Sequence, residues 1–525
     1  MNFKLQPISK RDVATAIRKL KAKRSSGFDG VSQELLKQIS SVVSFPLKNI
    51  INASITSGIF PSCWKHAKII PVHKKGDATL LANYRPISCL PSSSKVLESV
   101  VLKQLTEFFE VHRLLPRGQH GFRKGHSTSS AVASMVTQWA KNHEMGMHTG
   151  VLLWDLSAAF DTIDVETLCR KLSLFGVQRH SVDWFRSFLN ERCQQVQVGN
   201  GLSDAAETSI GCPQGSLLSP LLFLIYVSDM QLWMDSADIH SYADDTSTSV
   251  SSKCETEVIR KLEYDAENFL RFTASNNPTA NPDKTGFLFI RTTRSTLRAS
   301  VRVGGTTVEE TDHHRILGII VNNELSWNDH VYGNGALLQS VNQRVGSLKR
   351  VSGHVPRAYL GQIANAIVSS KIRYGSEIYC PVRMSGSDPL TAAHNDLQKA
   401  LNRAMRIVAN CRLRDRISIP KLVESTGMRT VNQMSAESKI SILWRGVNEP
   451  GSPLADIQDG EMLPTASRSS SRGDLKLRSR TAVGQRNFPE PAIRLWNRTK
   501  PSLRLPAKKS VLKREIREFV NTLPL

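Results

Sequence analysis

The chain has 525 residues, 40% hydrophobic and 22% charged, a composition that excludes a fibrous or disordered protein and suits roughly two to four domains. Its 69 Lys and Arg exceed its 46 Asp and Glu, giving a net charge of +23, a surplus suited to a polyanionic partner because neutralised phosphates release condensed counterions. Eight scattered cysteines without a C-x-x-C pair exclude a zinc ribbon and a secreted disulfide framework and favour a reducing compartment.

Met1-Asn2-Phe3-Lys4 opens no signal peptide, so an intracellular protein, nuclear and cytoplasmic and not secreted, is expected. Residues 8–60 read as helices broken by the polar loop Lys23-Arg24-Ser25-Ser26-Gly27-Phe28-Asp29-Gly30. Lys68-Ile69-Ile70-Pro71-Val72 reads as a strand, followed by a turn with Lys74, Lys75, Gly76 and Asp77. Residues 151–156 are an apolar run between Gly150 and Ser157, the pattern of a buried strand. Gln195-Val196-Gln197-Val198 alternates with period two. Residues 217–227 are the most apolar stretch, but Ser219 and Pro220 interrupt it and it is too short for a bilayer, so a buried helix and no membrane association are expected.

Val258, Leu262, Ala266 and Leu270 mark one face of a helix, and residues 287–290 and 316–321 read as short strands. Strands mixed with helices in this order predict an α+β fold rather than a regular βαβ array. Beyond about residue 326 helices dominate; Leu397, Leu401, Met405 and Val408 share a face, with Lys399, Arg403 and Arg406 off it. Residues 461–525 hold 15 Lys and Arg against 5 Asp and Glu and read either as a basic nucleic-acid-binding appendage or as a solvated, partly disordered end.

The chemistry centres on Tyr242-Ala243-Asp244-Asp245 between strand-like segments, a pattern that fits a β-hairpin tip. Adjacent aspartates repel, and an isolated pair is most simply a solvated turn. Asp155 changes this, because it ends the apolar run and so stands at the tip of a buried strand. Together the three carboxylates would offer hard oxygen ligands suited to Mg²⁺.

The segments Leu153-Trp154-Asp155-Leu156-Ser157-Ala158-Ala159-Phe160-Asp161, Gly211-Cys212-Pro213-Gln214-Gly215-Ser216 and Tyr242-Ala243-Asp244-Asp245 resemble the successive palm motifs of reverse transcriptases. The resemblance is nearest to non-LTR retrotransposon enzymes of the jockey-like and chicken-repeat-like type. Asn83-Tyr84-Arg85-Pro86-Ile87-Ser88, Lys95-Val96-Leu97-Glu98, Gln119-His120-Gly121-Phe122-Arg123, Asn281-Pro282-Asp283-Lys284-Thr285 and Leu317-Gly318-Ile319 extend it in order.

The resemblance implies an RNA-directed DNA polymerase that adds deoxynucleotides to a primer 3′-hydroxyl, with an RNA template, a DNA primer or target DNA, and deoxynucleoside triphosphates as partners. It implies two Mg²⁺ ions, with Mn²⁺ as a substitute, held by Asp155, Asp244, Asp245 and the Leu156 carbonyl. Phe160 would underlie the incoming sugar and exclude a 2′-hydroxyl. Gln214 and Gly215 would lie close to nucleotide and template, and Lys284 would protonate the pyrophosphate leaving group. Lys68, Lys74 and Arg85 are the cationic candidates for the triphosphate, with Arg85 the best placed in its motif; which of Lys68, Lys74 and Lys75 faces inward stays open.

The implied architecture is a right-hand polymerase. Residues 1–54 would be the N-terminal helical part of the fingers, 55–325 fingers and a ferredoxin-like palm, 326–440 a helical thumb, and 441–525 a basic C-terminal extension. Enzymes of this group normally carry an endonuclease before the polymerase, and this chain begins almost at the fingers. That suits a truncated element, a partial gene, or a polymerase whose nuclease lies elsewhere. The rival readings are an RNA-dependent RNA polymerase and a decayed or repurposed copy that binds RNA without catalysis.

Overall fold

The computed structural model describes residues 1–525 except 75, 158–159, 294–296, 389, 450–451, 453–474, 476–478, 480, 506 and 525. The strands in chain order are β1 (His66–His73), β2 (Tyr84–Cys89), β3 (His148–Trp154), β4 (Leu156–Ser157), β5 (Arg192–Val198), β6 (Gly201–Leu202), β7 (Ala206–Thr208), β8 (Asp238–Tyr242), β9 (Asp245–Ser252), β10 (Thr279–Ala280), β11 (Gly286–Ile290), β12 (Ser300–Val303), β13 (Thr306–Thr311), β14 (His313–Ile316) and β15 (Ile319–Asn322). Two compact units share them. Residues 1–122, 154–235 and 265–281 form the first, and residues 123–153, 236–264 and 282–525 the second.

In the first unit the sheet order is β2-β1-β5-β6, with β7 also paired to β5. β1 and β2 run antiparallel with Val72 opposite Arg85, and β1 runs parallel to β5 with His66 opposite Cys193. The helix Lys10–Lys19 starts at a capping box in which Ser9 and Asp12 satisfy each other's backbone N–H, the reciprocal arrangement that fixes a helix start. The helix Ser92–Val111 buries Val96, Leu97, Val100, Val101 and Leu105, a stripe at helical spacing. Phe60, Trp184 and Phe188 form an aromatic core, with Phe60 edge-on to Trp184 at 5.7 Å and to Phe188 at 5.0 Å.

The apolar stretch at 217–227 is indeed a buried helix, Ser219–Tyr226. Lys171 beside it is buried, and its Nζ donates to the Tyr226 carbonyl at 2.6 Å, Asp229 at 2.6 Å and Asn276 at 2.7 Å. Burial lowers the Lys171 pKa, and the bond to Asp229 opposes that shift. Tyr226 in turn donates to the Asn276 carbonyl at 2.7 Å. This fastens the end of the helix Glu255–Asn276 just before β10, which pairs with β4.

The second unit holds a sheet of order β12-β13-β11-β3-β9-β8. All of β3 is buried, which is why its sequence runs apolar without alternation. Gly150 lets the helix Glu255–Asn276 lie close on β3, since a Cβ there would stand 2.8 Å from Val258 Cγ1. Val258, Leu262 and Ala266 of that helix are buried as the spacing predicts, but Phe269 rather than Leu270 is the fully buried residue of the next turn, because 3.6 residues per turn drift away from a strict four-residue repeat. The helix Thr128–Glu144 adds Val132, Met135, Val136 and Trp139 to the core cluster that holds Val151 and Leu153 of β3.

Three expectations change. Residues 316–321 are not one strand: β14 and β15 meet at a tight turn where Leu317 (φ 47) and Gly318 (φ 85) both have positive φ, the requirement of a two-residue hairpin of type I′. The boundaries at 54 and 440 fall inside helices, Ser40–Ser57 and Val431–Asn448. And the described part of the basic tail is neither a separate appendage nor a solvated end. Its helices Ala482–Arg486, Glu490–Trp496 and Lys509–Asn521 bury Ile493, Trp496, Leu512, Ile516 and Val520 in the core that holds Trp139 and Trp444. These described helices are amphipathic, so the charge count hid their apolar face.

Beyond Asn322 the named elements of the described residues are helices. Leu397, Leu401 and Met405 of the helix Ala392–Ala409 are buried as expected. Of the cations placed off that face, Arg406 is tied to the Arg412 and Ile417 carbonyls and Lys399 to Asp396. Among the described residues no helix is long and apolar enough to cross a membrane.

Candidate active site

β8 and β9 are antiparallel, with Tyr242 opposite Asp245, so Ala243 and Asp244 form a two-residue turn. Positive φ at Ala243 (59°) and not at Asp244 is the pattern of a type II′ turn, whose first central position ordinarily belongs to glycine. A Cβ-bearing residue held there stores about 1–2 kcal/mol. The strain is contained because Ala243 is buried and Tyr242 packs against the core of the second unit. Asp244 and Asp245 remain exposed at the tip. Two residues before Tyr242, desolvation pushes the His240 pKa down to about 4, so this imidazole is neutral at pH 7 and brings no charge to the carboxylates.

β9 is bonded to β3 in the same sheet, and Thr149 Oγ1 lies 2.9 Å from Ser251 Oγ. Asp155 follows β3 directly and is exposed, while Leu156 is buried in β4 opposite Ala280. Within the first unit the Asp155 carbonyl accepts the Asn281 N–H at 3.3 Å. Trp154 stacks on Phe269 with ring centroids 4.2 Å apart. Lys284 is exposed at the end of the 3₁₀ turn Pro282–Lys284 in the second unit.

The first unit gathers a second group. Phe160 stacks on Phe223 with centroids 4.9 Å apart and meets Phe122 edge-on at 6.0 Å, so its ring is fixed while part of it stays open. The Phe160 carbonyl accepts the Cys212 N–H at 2.8 Å, and the Ile163 carbonyl accepts the Gly211 N–H at 2.8 Å. Gln214 Nε2 donates to both oxygens of Asp161, at 2.8 and 2.7 Å. The Gln214 carbonyl accepts the Ser88 N–H at 2.7 Å. Gly215 has φ 136 and a Cβ on it would stand 2.4 Å from the Ser88 carbonyl oxygen, so glycine is required twice over. Burial drives the Cys212 thiol up to about 12, and it packs as an inert small hydrophobe.

On the β1–β2 ribbon, residues directly opposite share a face and the face alternates along each strand. Lys68 and Val72 therefore face the same way as Arg85, which is opposite Val72. The ladder continues one step past β1, with the Lys74 N–H donating to the Asn83 carbonyl at 2.8 Å, and Lys74 falls on that face too. Lys74 and Arg85 are exposed, whereas Lys68 Nζ sits 5.3 Å from the centre of the Phe28 ring. Lys75 lies outside the described residues.

Asp161, Ser88 and Glu98 carry no role that is legible in the sequence. Asp161 could have been noticed as a second carboxylate six residues past Asp155, but nothing in the sequence pairs it with Gln214. Among the described residues no group of three or more His, Cys, Asp or Glu is placed to hold a metal ion. Asp155, Asp244 and Asp245 are each exposed, and carboxylate oxygens are the hard donors of the type Mg²⁺ takes.

Residues 72–321 match the family model described as reverse transcriptase (RNA-dependent DNA polymerase). The chain is 28% identical over 453 residues to the probable RNA-directed DNA polymerase from transposon BS of Drosophila melanogaster, covering 84% of this chain and 48% of that protein. It is 28% identical over 392 residues to the RNA-directed DNA polymerase from mobile element jockey of the same organism, covering 72% and 42%. The probable RNA-directed DNA polymerase from transposon X-element is 27% identical over 340 residues, covering 63% and 37%. The chain spans about half or less of the length of these relatives.

Proposed function

We propose, from the premise that residues 72–321 are a reverse transcriptase domain of the non-LTR retrotransposon kind, that this chain copies RNA into DNA by adding deoxynucleotides to a primer 3′-hydroxyl. The observation that carries the reading is the β8–β9 tip, where a strained Ala243 turn presents two exposed aspartates on a hairpin whose second strand is bonded to the strand leading into Asp155. Strain maintained at two exposed carboxylates is expected of a site rather than of a solvated turn.

In this reading Asp155, Asp244, Asp245 and the Leu156 carbonyl would hold two Mg²⁺ ions. When bound, such ions supply Lewis-acid activation of the primer hydroxyl and neutralise charge on the departing pyrophosphate. The chain's own residues do the remaining work. Arg85, Lys74 and Lys68 bind the triphosphate from one face of the β1–β2 ribbon; Lys68 would leave the Phe28 ring to do so. Phe160 bears against the sugar and has no room for a 2′-hydroxyl, because Phe223 and Phe122 stop its ring from retreating. Gln214 and Gly215 present backbone to nucleotide and template. Lys284 Nζ gives a proton to the leaving phosphate oxygen.

The first unit's β1–β2 ribbon and N-terminal helices act as fingers, the sheet of the second unit as palm, and the helices after residue 326 as a thumb that holds the duplex by its phosphates without reading sequence. Nuclear and cytoplasmic action belongs to the same proposal.

Primer extension on an RNA template tests it. Wild-type protein should extend with deoxynucleotides, and Asp244→Ala should abolish extension with its melting temperature unchanged, because Asp244 is exposed. Preferential ribonucleotide incorporation would instead mark an RNA polymerase. No extension by folded wild-type protein that still binds RNA would mark a binding remnant.

A further inference from the structure

Glu98 stands on the buried face of the helix Ser92–Val111 and exposes none of its surface. A carboxylate there is costly unless its oxygens are satisfied. Oε1 accepts from Ser94 Oγ at 2.7 Å, and Oε2 accepts from Ser216 Oγ and from the Leu217 N–H, each at 2.6 Å. The buried Arg192 guanidinium attracts it from further off. Two of the three donors come from the residues that follow Pro213-Gln214-Gly215. Having donated to Glu98, Ser216 Oγ accepts the N–H of Leu218 at 3.0 Å and of Ser219 at 3.3 Å, so it caps the start of the helix Ser219–Tyr226. Ser219 Oγ donates back to the Pro213 carbonyl at 3.0 Å.

We propose that Glu98 is a positioning residue for nucleotide binding: through Ser216 and Leu217 it clamps one side of the Pro213-Gln214-Gly215 turn while Ser88 holds the other. This rests on the polymerase reading above. A single buried carboxylate that anchors both the turn and the helix behind it fixes the height of the Gln214–Gly215 backbone, and an error of about 1 Å in such a support is enough to cost a large part of binding or rate. The role explains why the acid is a glutamate in the middle of an otherwise apolar stripe. The clamp needs only an oxygen acceptor toward Ser216 and Leu217, so a glutamine can supply it by turning its amide group toward Ser94 Oγ.

The test compares Glu98→Ala, Glu98→Gln, Ser216→Ala and, as a control, Leu105→Ala, a fully buried position on the same helix. Two measurements are made: hydrogen exchange of the amides at 216–219, which needs no activity, and KM and kcat for a deoxynucleotide in primer extension. Glu98→Ala should raise exchange at Leu217 and Leu218 about tenfold and KM about tenfold, with kcat within about threefold. Ser216→Ala should move both the same way by less, and serves if Glu98→Ala does not fold. Glu98→Gln should restore near wild-type KM, and Leu105→Ala should lower the melting temperature without changing KM. Unchanged exchange in Glu98→Ala, or a KM that moves equally in Leu105→Ala, overturns the proposal. Absence of extension by the wild-type protein counts against the polymerase reading instead, and the exchange result still decides whether Glu98 holds the turn.

Discussion

Replacing Gly215 with alanine puts a single methyl group where the backbone of β2 already is. The new Cβ would lie 2.4 Å from the Ser88 carbonyl oxygen and 3.3 Å from its carbon, and neither atom can rotate away. Restoring an ordinary contact of about 3.3 Å requires the turn or the strand to shift by about 0.9 Å. That shift stretches the bond from the Ser88 N–H to the Gln214 carbonyl, now 2.7 Å, past its useful range, and Ser88 is buried. Losing it costs about 1–3 kcal/mol, and holding alanine at a φ of 136° costs about 1–3 kcal/mol more. The stiffer unfolded chain returns about 0.4–1 kcal/mol. The net expectation is about 1–6 kcal/mol of lost stability in the first unit. Thermal or urea denaturation measures the loss, and single-nucleotide extension just below the melting range measures the displaced turn as a raised KM. A Gly215→Ala protein as stable as wild type with unchanged KM would show instead that the turn and β2 separate freely.

Phe160→Val should raise the efficiency of ribonucleotide use relative to deoxynucleotide use by at least about tenfold, at a cost of about 1–3 kcal/mol for the lost ring contacts; competitive single-nucleotide incorporation reads the ratio. Trp496→Ala should cost about 3–5 kcal/mol, since Trp496 is fully buried in the second unit's core, and differential scanning calorimetry should show the loss there. Acid should destabilise the second unit through His330 and His394, whose pKa values burial pushes down to about 4 from 6.5. Both are neutral in the folded state, so their contribution is complete above pH 6.5 and is lost as pH falls toward 4, by up to about 3 kcal/mol each. Urea unfolding at pH 7.5, 6 and 5 checks this, and His394→Asn should flatten the dependence.

Much of the site could be read from local pattern. The run at 151–156 betrayed β3 because a strand covered on both faces has no alternation, and Tyr242-Ala243-Asp244-Asp245 betrayed its hairpin because the flanking residues suit strands. The Ala243 strain was not legible, since alanine carries no mark of positive φ. Nor was the pairing of Gln214 with Asp161, or of Glu98 with Ser216, because hydrogen bonds between residues 53 and 118 positions apart leave no periodic trace. The hairpin at Leu317-Gly318 was missed because apolar residues on both sides masked the turn. The C-terminal helices were missed for a related reason: averaging charge over 65 residues erased the spacing of Leu512, Ile516 and Val520 on one face.

Those last helices also set a timetable for the ribosome. Thr137 Oγ1 lies 3.4 Å from the Phe488 carbonyl, a contact across 351 positions, and Trp139 shares its core with Trp496. At elongation rates of about 5–20 residues per second, the helix Thr128–Glu144 waits on the order of 20–70 s between leaving the ribosome and receiving its covering partner. Through that interval Val132, Val136 and Trp139 lack their final neighbours, while the first unit already has most of its chain. A premature stop ahead of residue 482 would spare every aspartate of the proposed site yet leave Val132, Val136 and Trp139 without these helices in their core.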